Sequence, residues 1–217
     1  MKMKTTILAA FLSLAGIAAK AQQQTHFGIK GGFATTAITD ADDWRGTGFG
    51  GVFVNIPLGW HWYLQPEVLY AGQGGIYGNG RYYFDPTDPN NTTLSMGYVQ
   101  VPLMFQFHVN RVFYLEFGPQ VEFLTNAKAI TDGERTDVTS NFNRTDVDLN
   151  FGFGLNCGPI VSLFARYSLG LSDVYNEGTD PGPTEYNRAV QIGIGFKFPN
   201  GNGDGERGGG GRRYRRY

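Results

Sequence analysis

Cysteine is almost absent from this 217-residue chain, which contains only Cys157. A single cysteine cannot form an intramolecular disulfide, so the sequence excludes a small secreted domain held together by disulfide bonds. Histidine is nearly as scarce, with three residues: His26, His61 and His108. Because histidine is the commonest general acid or base in enzymes, this scarcity leaves few positions for such catalysis.

Long apolar segments and charged residues are also in short supply. After residue 21, no apolar run approaches the roughly 20 residues of a transmembrane helix, so the chain could enter a membrane only as strands. Charged residues make up 17% of the chain, against about 25% in an average soluble domain. The net charge of −1 identifies no partner by bulk charge. What is abundant is glycine, with 32 residues, which suits a β-protein with many turns.

The first 21 residues have the pattern of an export signal. Lys2 and Lys4 precede an apolar run at residues 5–19, and Ala19-Lys20-Ala21 fits the small-x-small rule of a cleavage site. We therefore predict a secretory signal peptide at 1–21. The alternative, a single anchoring helix, is disfavoured because the run is shorter than the roughly 20 residues needed to cross a bilayer.

Eight stretches of the remaining chain alternate apolar and polar residues, a pattern that predicts strands. They cover residues 25–35, 48–56, 60–73, 94–109, 112–125, 147–156, 159–172 and 188–198. The links between them alternate in length: short at 57–59, 110–111 and 157–158, and long at 37–47, 74–93, 126–146 and 173–187. Short turns at one end, long loops at the other and an even strand count are typical of outer-membrane barrels. The sequence therefore predicts an all-β fold, an eight-stranded antiparallel up-and-down transmembrane β-barrel over residues 22–198.

The stretch LEFGPQVEFL, residues 115–124, indicates which face of the strands meets lipid. One face of this strand carries leucine, valine and phenylalanine, and the other carries Glu116, Gln120 and Glu122. The interior of an eight-stranded barrel is only wide enough for side chains to fill. Rows of phenylalanines would be too bulky there, so we expect the apolar face outside, against the lipids of the outer membrane, and the polar face inside.

Charges inside so narrow a lumen are expected to neutralise each other, because an unpaired buried charge is costly. We predict a hydrogen-bonded ion network that fills the barrel. Its members are Lys30, Glu67, Glu116, Glu122, Asp148, Arg166 and Lys197. The alternative is a lumen that conducts ions.

The last predicted strand, QIGIGFKF at 191–198, resembles the assembly signal of outer-membrane barrels. Gln191, Gly193, Phe196 and Phe198 occupy its four constrained positions. The resemblance implies recognition by the barrel-assembly machinery. The chain departs from the pattern in that Phe198 is not terminal, since 19 residues follow it.

A family resemblance covers most of the predicted barrel. GYVQVPLMFQF at 97–107 and FYLEFGPQVEFLTNAK at 113–128 look like the middle of PorT-family outer-membrane β-barrel proteins, and DLNFGFGLNCG and ARYSLGLSDV resemble the two strands that follow. The resemblance implies an eight-stranded barrel in the outer membrane of a diderm bacterium. Many members have no assigned activity, and the family has no catalytic residues to carry over.

The three histidines are all expected near the periplasmic ends of strands. None could serve a catalytic dyad or triad at the outer rim, so we do not expect an enzyme. His26, His61 and His108 could meet at one metal site. The favoured interpretation is that they are hydrogen-bonded polar residues at the mouth of the lumen, with no metal and no cofactor.

The last residues, 199–217, are rich in glycine and arginine. We predict a flexible periplasmic tail whose anion-binding residues are Arg212, Arg213, Arg215 and Arg216. Such a tail could bind lipid phosphates, peptidoglycan carboxylates or an acidic protein. Nucleic acid is not expected, because the predicted compartment does not contain it.

Taken together, these patterns predict an outer-membrane barrel with a structural or interaction role, exerted through its extracellular loops and its basic tail. One alternative is a small passive pore. Another is a secreted soluble β-barrel that binds an apolar ligand, in which the same alternation would place the apolar face inside.

Overall fold

The computed structural model describes residues 25–38, 43–77, 92–172 and 186–199. The predicted signal peptide at 1–21 lies outside these residues, as does the tail beyond residue 199. The strands are β1 (His26–Ile38), β2 (Asp43–Pro57), β3 (Trp62–Tyr77), β4 (Thr92–His108), β5 (Phe113–Thr131), β6 (Glu134–Asp137), β7 (Thr145–Asn156), β8 (Val161–Gly170) and β9 (Asn187–Lys197). One 3-10 turn, Thr139–Asn141, lies between β6 and β7.

Eight of the nine strands form a closed antiparallel barrel. Their order around it is β4, β3, β2, β1, β9, β8, β7 and β5, and pairing of β4 with β5 completes the circle. The predicted eight-stranded antiparallel up-and-down transmembrane β-barrel is confirmed. In the described part of the chain, no helix is long and apolar enough to cross a membrane.

The additional strand, β6, forms a hairpin with the extracellular end of β5. The two residues at its tip, Asp132 and Gly133, have φ values of 52° and 88°, as a tight hairpin turn with the twist of the strands requires. The sequence analysis placed this segment in a long loop. The Asp-Gly pair was the signal that could have predicted the hairpin.

The two faces of the strands separate as expected. On β5, Leu115, Phe117 and Phe123 are exposed on the outer wall, whereas Glu116 and Glu122 are buried inside. Phe151, Phe153, Phe196 and Phe198 are also exposed on the outside. The predicted assignment, with apolar side chains outward and polar side chains inward, is confirmed.

The lumen is more aromatic than predicted. Phe49, Phe53, Tyr114 and Phe164 are all buried inside it. Glycines on neighbouring strands make room for these rings: a Cβ on Gly154 would collide with the Tyr114 ring. Phe164 is two residues from Arg166, so period-two alternation alone assigns it to the inner face.

Candidate functional site: the filled lumen

Arg166 on β8 lies at the centre of the lumen and binds two glutamates from other strands. Its Nη1 and Nη2 donate to the two carboxylate oxygens of Glu67 on β3, at 3.1 and 2.9 Å. Its Nε donates to Oε1 of Glu116 on β5, at 2.9 Å. All three side chains are fully excluded from solvent. The two-pronged contact with Glu67 is the geometry in which arginine pairs most strongly with a carboxylate.

Lys30 on β1 completes this group of charges. Its Nζ lies 2.9 Å from Oε1 of Glu67 and 3.8 Å from the centroid of the Phe164 ring, so it makes both an ion pair and a cation–π contact. Two cations and two carboxylates therefore meet in one buried cluster with no net formal charge. We call Lys30, Glu67, Glu116 and Arg166 the charged layer.

Amide side chains add further hydrogen bonds to the carboxylates of the charged layer. Gln65 donates to Glu67 at 2.9 Å, and Gln106 donates to Glu116 at 3.1 Å. Asn55 donates in turn to the amide oxygens of Gln65 and Gln106, both at 3.0 Å. A buried ion pair is favourable only when such additional hydrogen bonds are present.

A second layer lies further along the inner face of β5, towards the extracellular side, and is built differently. Glu122 accepts hydrogen bonds from the amides of Gln73, Gln100 and Gln120, at 2.5–2.8 Å. Asp148 on β7 accepts from Gln120 at 3.0 Å, so the amide of Gln120 bridges the two carboxyl groups. We call these five residues the acid–amide layer.

The acid–amide layer corrects one expectation. Glu122 and Asp148 were predicted to be neutralised by basic residues, but neither forms an ion pair with any Lys or Arg that the structure describes. Glutamines contact Glu122 instead: the facing position on β4 holds Gln100, while the facing position on β7 holds the buried Asp146. The sequence analysis gave weight to the charged residues on the inner face and overlooked these amides, which alternation also places there.

An apolar cluster packs against β4 and β5 at the extracellular end of the lumen. It consists of Leu94, Met96, Tyr98, Ala127, Ala129, Val138 and Phe142, and we call it the apolar cap. Val138 and Phe142 come from the segment after β6, which is fixed to β5 by a hydrogen bond from the Val138 N–H to the Ala127 carbonyl at 3.0 Å. The sequence analysis did not predict the cap, because it treated the whole segment as an open loop.

A polar contact outside the membrane holds the same segment. Asp137, in the extracellular hairpin, accepts a hydrogen bond from the Thr139 N–H at 3.0 Å. This bond to the backbone holds the pKa of the Asp137 carboxyl below its usual value. The Thr139 hydroxyl accepts the Ala127 N–H at 2.8 Å. Together these bonds fix the backbone on both sides of Val138 against β5.

Lys197, the last predicted member of the network, lies apart from both layers. It is at the periplasmic end of β9 and forms no ion pair with a described residue. With His26 and His108 it lines a cavity of about 490 Å³ that opens to the periplasm. Within the described ranges, no three His, Cys, Asp or Glu side chains are grouped so that they could hold a metal ion.

The predicted assembly signal lies on β9 and just beyond it. Gln191 is buried in the lumen, Phe196 and Phe198 are exposed outside, and a Cβ on Gly193 would collide with the Phe164 ring. The Phe198 N–H donates to the Phe27 carbonyl at 2.7 Å, which extends the pairing of β9 with β1. Arg212, Arg213, Arg215 and Arg216 of the tail lie outside the described residues.

A closed eight-stranded barrel with an apolar outer wall and a filled polar lumen is the architecture of an outer-membrane β-barrel protein. The family model described as outer membrane protein beta-barrel domain matches residues 20–176. The chain belongs to this family and is a protein of the bacterial outer membrane, surrounded by its lipids. The match ends before β9 begins at Asn187.

Solved structures show the same fold. Neisserial surface protein A (NspA) is 12% identical, with a TM-score of 0.54, and the alignment covers 81% of this chain and 100% of NspA. Ail of Yersinia pestis, in complex with sucrose octasulfate, is 12% identical with a TM-score of 0.47, over 81% of this chain and 100% of Ail. At this identity, the similarity to NspA extends to the fold alone. Comparison with curated proteins gave no match.

Proposed function

We propose that this protein is a non-conducting, non-catalytic outer-membrane barrel that acts as a structural or interaction module. The observation that carries the proposal is the filled lumen. The charged layer, the acid–amide layer and the apolar cap succeed one another along the inner wall, and the side chains of Glu67, Glu116 and Arg166 are fully excluded from solvent. An ion crossing the barrel would have to displace buried, hydrogen-bonded charges, which costs several kcal/mol.

Conductance across a planar bilayer tests this proposal. The purified protein should insert without producing stepwise current. Double replacement of the central pair, Glu67→Ala with Arg166→Ala, removes the largest side chains of the charged layer and should produce discrete openings. The matched control is Glu134→Ala on the exposed extracellular hairpin, which should remain silent. Stepwise conductance of the unaltered protein would favour the small passive pore instead.

The interaction role is proposed to lie at the two ends of the barrel. The extracellular loops would contact partners outside the cell, and the basic tail would bind a periplasmic anionic partner through Arg212, Arg213, Arg215 and Arg216. Clustered arginines favour carboxylate or phosphate ligands. Binding to peptidoglycan should be lost when all four are changed to Gln, while heat-modifiable gel mobility, a sign of an intact barrel, is retained. Equal binding by the changed protein would exclude the tail as the contact.

We also propose that the chain is a PorT-type member of its family. We propose further that the barrel-assembly machinery recognises β9. The support is the match of Gln191, Gly193, Phe196 and Phe198 to the assembly pattern. Replacing Phe196 with Ala should slow membrane insertion in reconstituted assembly machinery, whereas Phe117→Ala, also exposed on the outer wall, should not. Similar slowing by both changes would indicate a general loss of lipid contact.

A further inference from the structure

The charged side chains that line the cavity at the periplasmic mouth are all of one sign. Among the residues that line its volume of about 490 Å³, none is Asp or Glu, whereas Lys197 and Arg111 are cations. A volume of this size falls within the range of small-molecule sites. A concave site with cations and no described anion attracts negatively charged ligands.

The two permanent cations line the mouth from different elements of the fold. Lys197 ends β9, and Arg111 lies in the turn between β4 and β5. In the closed sheet β9 is three strands from β5 and four from β4, and the turn that carries Arg111 contacts Asn156 at the end of β7. Because Lys197 and Arg111 line one cavity from separate elements, a ligand with an anionic group at each end could contact both.

His108, which also lines the cavity, has a buried ring nitrogen. His108 is held between Tyr63 and Tyr114, with ring centroids 4.3 and 5.2 Å away. Its buried Nε2 has no hydrogen-bond partner among the described residues. Buried polar atoms nearly always have a partner, and both His108 and Tyr63 line the cavity. A ligand or an ordered water in the mouth would supply the missing hydrogen bond.

We propose that the periplasmic mouth binds a small organic dianion, with Lys197 and Arg111 each holding one carboxylate or phosphate group. The headgroups of the surrounding lipids lie outside the barrel wall, so the ligand comes from the aqueous periplasm. The chain beyond residue 200 is also an unsuitable occupant, because its five arginines outnumber its two acidic residues. This site is independent of the proposed non-conducting role and would remain if that role were disproved.

Calorimetric titration of the full chain in detergent micelles tests the site. The probes are glutarate, a dicarboxylate; pyrophosphate, which carries two phosphates; and butyrate, a monoanion, all at matched ionic strength. Saturable binding of glutarate or pyrophosphate, and none of butyrate, is expected. Tighter binding of glutarate would indicate a carboxylate ligand, such as a cell-wall peptide. Tighter binding of pyrophosphate would indicate a phosphate ester.

Charge-removing variants locate the binding. Lys197→Gln and Arg111→Gln should each weaken dianion binding about tenfold or more, because each loses a charge-assisted hydrogen bond. Arg111 is exposed in a turn, so its replacement leaves the barrel wall intact. Lys128→Gln, on the exposed extracellular part of β5, is the matched control and should bind like the parent. No saturable binding, undiminished binding by both variants, equal loss in the Lys128 variant, or butyrate binding as tight as glutarate would overturn the proposal.

Discussion

The charged layer and the acid–amide layer occupy the same lumen and share strand β5, yet they bury charge in opposite ways. Glu116 of the charged layer contacts a guanidinium at 2.9 Å. Glu122, six residues further along the same inner face, accepts from three amides, one of which it shares with Asp148. One carboxylate is balanced by full positive charge, and the other is stabilised by dipoles alone.

This difference shows that hydrogen bonding and charge neutralisation are separate requirements. Both layers satisfy most of their polar atoms, but only the charged layer balances its formal charge. Breaking a buried ion pair leaves an uncompensated charge and costs far more than the pair contributes. Removing a charge from a like-charged cluster has no such cost. The two layers should therefore respond to neutralising substitutions with opposite signs.

The largest effect is expected from Arg166→Met, which leaves Glu67 and Glu116 buried without their guanidinium. The free energy of unfolding should fall by about 3–5 kcal/mol, measured by denaturant titration in lipid vesicles. Combining it with Glu116→Gln removes one negative charge as well and leaves the Lys30–Glu67 pair intact. The double variant should recover part of the loss. If it were less stable than the single variant, charge balance would not be what Arg166 provides.

A lipid-facing residue on β8, the strand that carries Arg166, gives a reference for these changes in the free energy of unfolding. Leu163 lies on β8, three residues from Arg166, and is exposed to lipid. Leu163→Arg should lower the free energy of unfolding by about 2–4 kcal/mol, because it places a charge in hydrocarbon. The same vesicle titration measures it, with Ser140→Arg on the exposed extracellular segment as a control that should change little. An unchanged Leu163 variant would contradict the position of this residue in the membrane.

A smaller loss is expected from Glu116→Gln alone. Arg166 keeps its contacts with Glu67 but loses a charge-assisted hydrogen bond, which typically contributes about 1.5–3 kcal/mol. Denaturant titration should show a midpoint between those of the parent and Arg166→Met. Glu134→Gln, on the exposed hairpin, should match the parent. A Glu116 variant as stable as the parent would show that the charged layer tolerates a net positive charge.

The smallest effect, with the opposite sign, is expected from Asp148→Asn in the acid–amide layer. The change removes a like charge beside Glu122 and supplies an N–H that can donate to it. The free energy of unfolding should rise by on the order of 1 kcal/mol, read from the same titration. A loss as large as that of Glu116→Gln would mean that the acid–amide layer contains a cation and that the contrast between the layers is wrong.

The alternation of residues predicted the barrel well, because side-chain direction in a strand depends only on position. It placed Glu67, Glu116 and Arg166 on one inner wall, and the structure brings these three into contact. It could not predict which strands face each other across the lumen, since this depends on stagger and closure. Glu122 was expected to meet a cation and instead meets Gln100 and Gln120, which the same alternation places on the inner faces of β4 and β5. The cap residue Phe142 was missed for another reason: its segment has no alternation to interpret.

The contacts of Arg166 have a consequence for the order in which the barrel is assembled. Arg166 and Glu67 are 99 positions apart in the chain and lie on strands that are not adjacent. In an open sheet Arg166 could already reach Glu116 across β7, and Lys30 could reach Glu67 across β2. Arg166 and Glu67 would meet only after the first and last strands pair. A half-rolled intermediate would therefore hold two separate ion pairs, and closing the seam between β1 and β9 joins them through the Arg166–Glu67 contact in a late step. The ion pairs of the charged layer therefore favour closed barrels over open sheets.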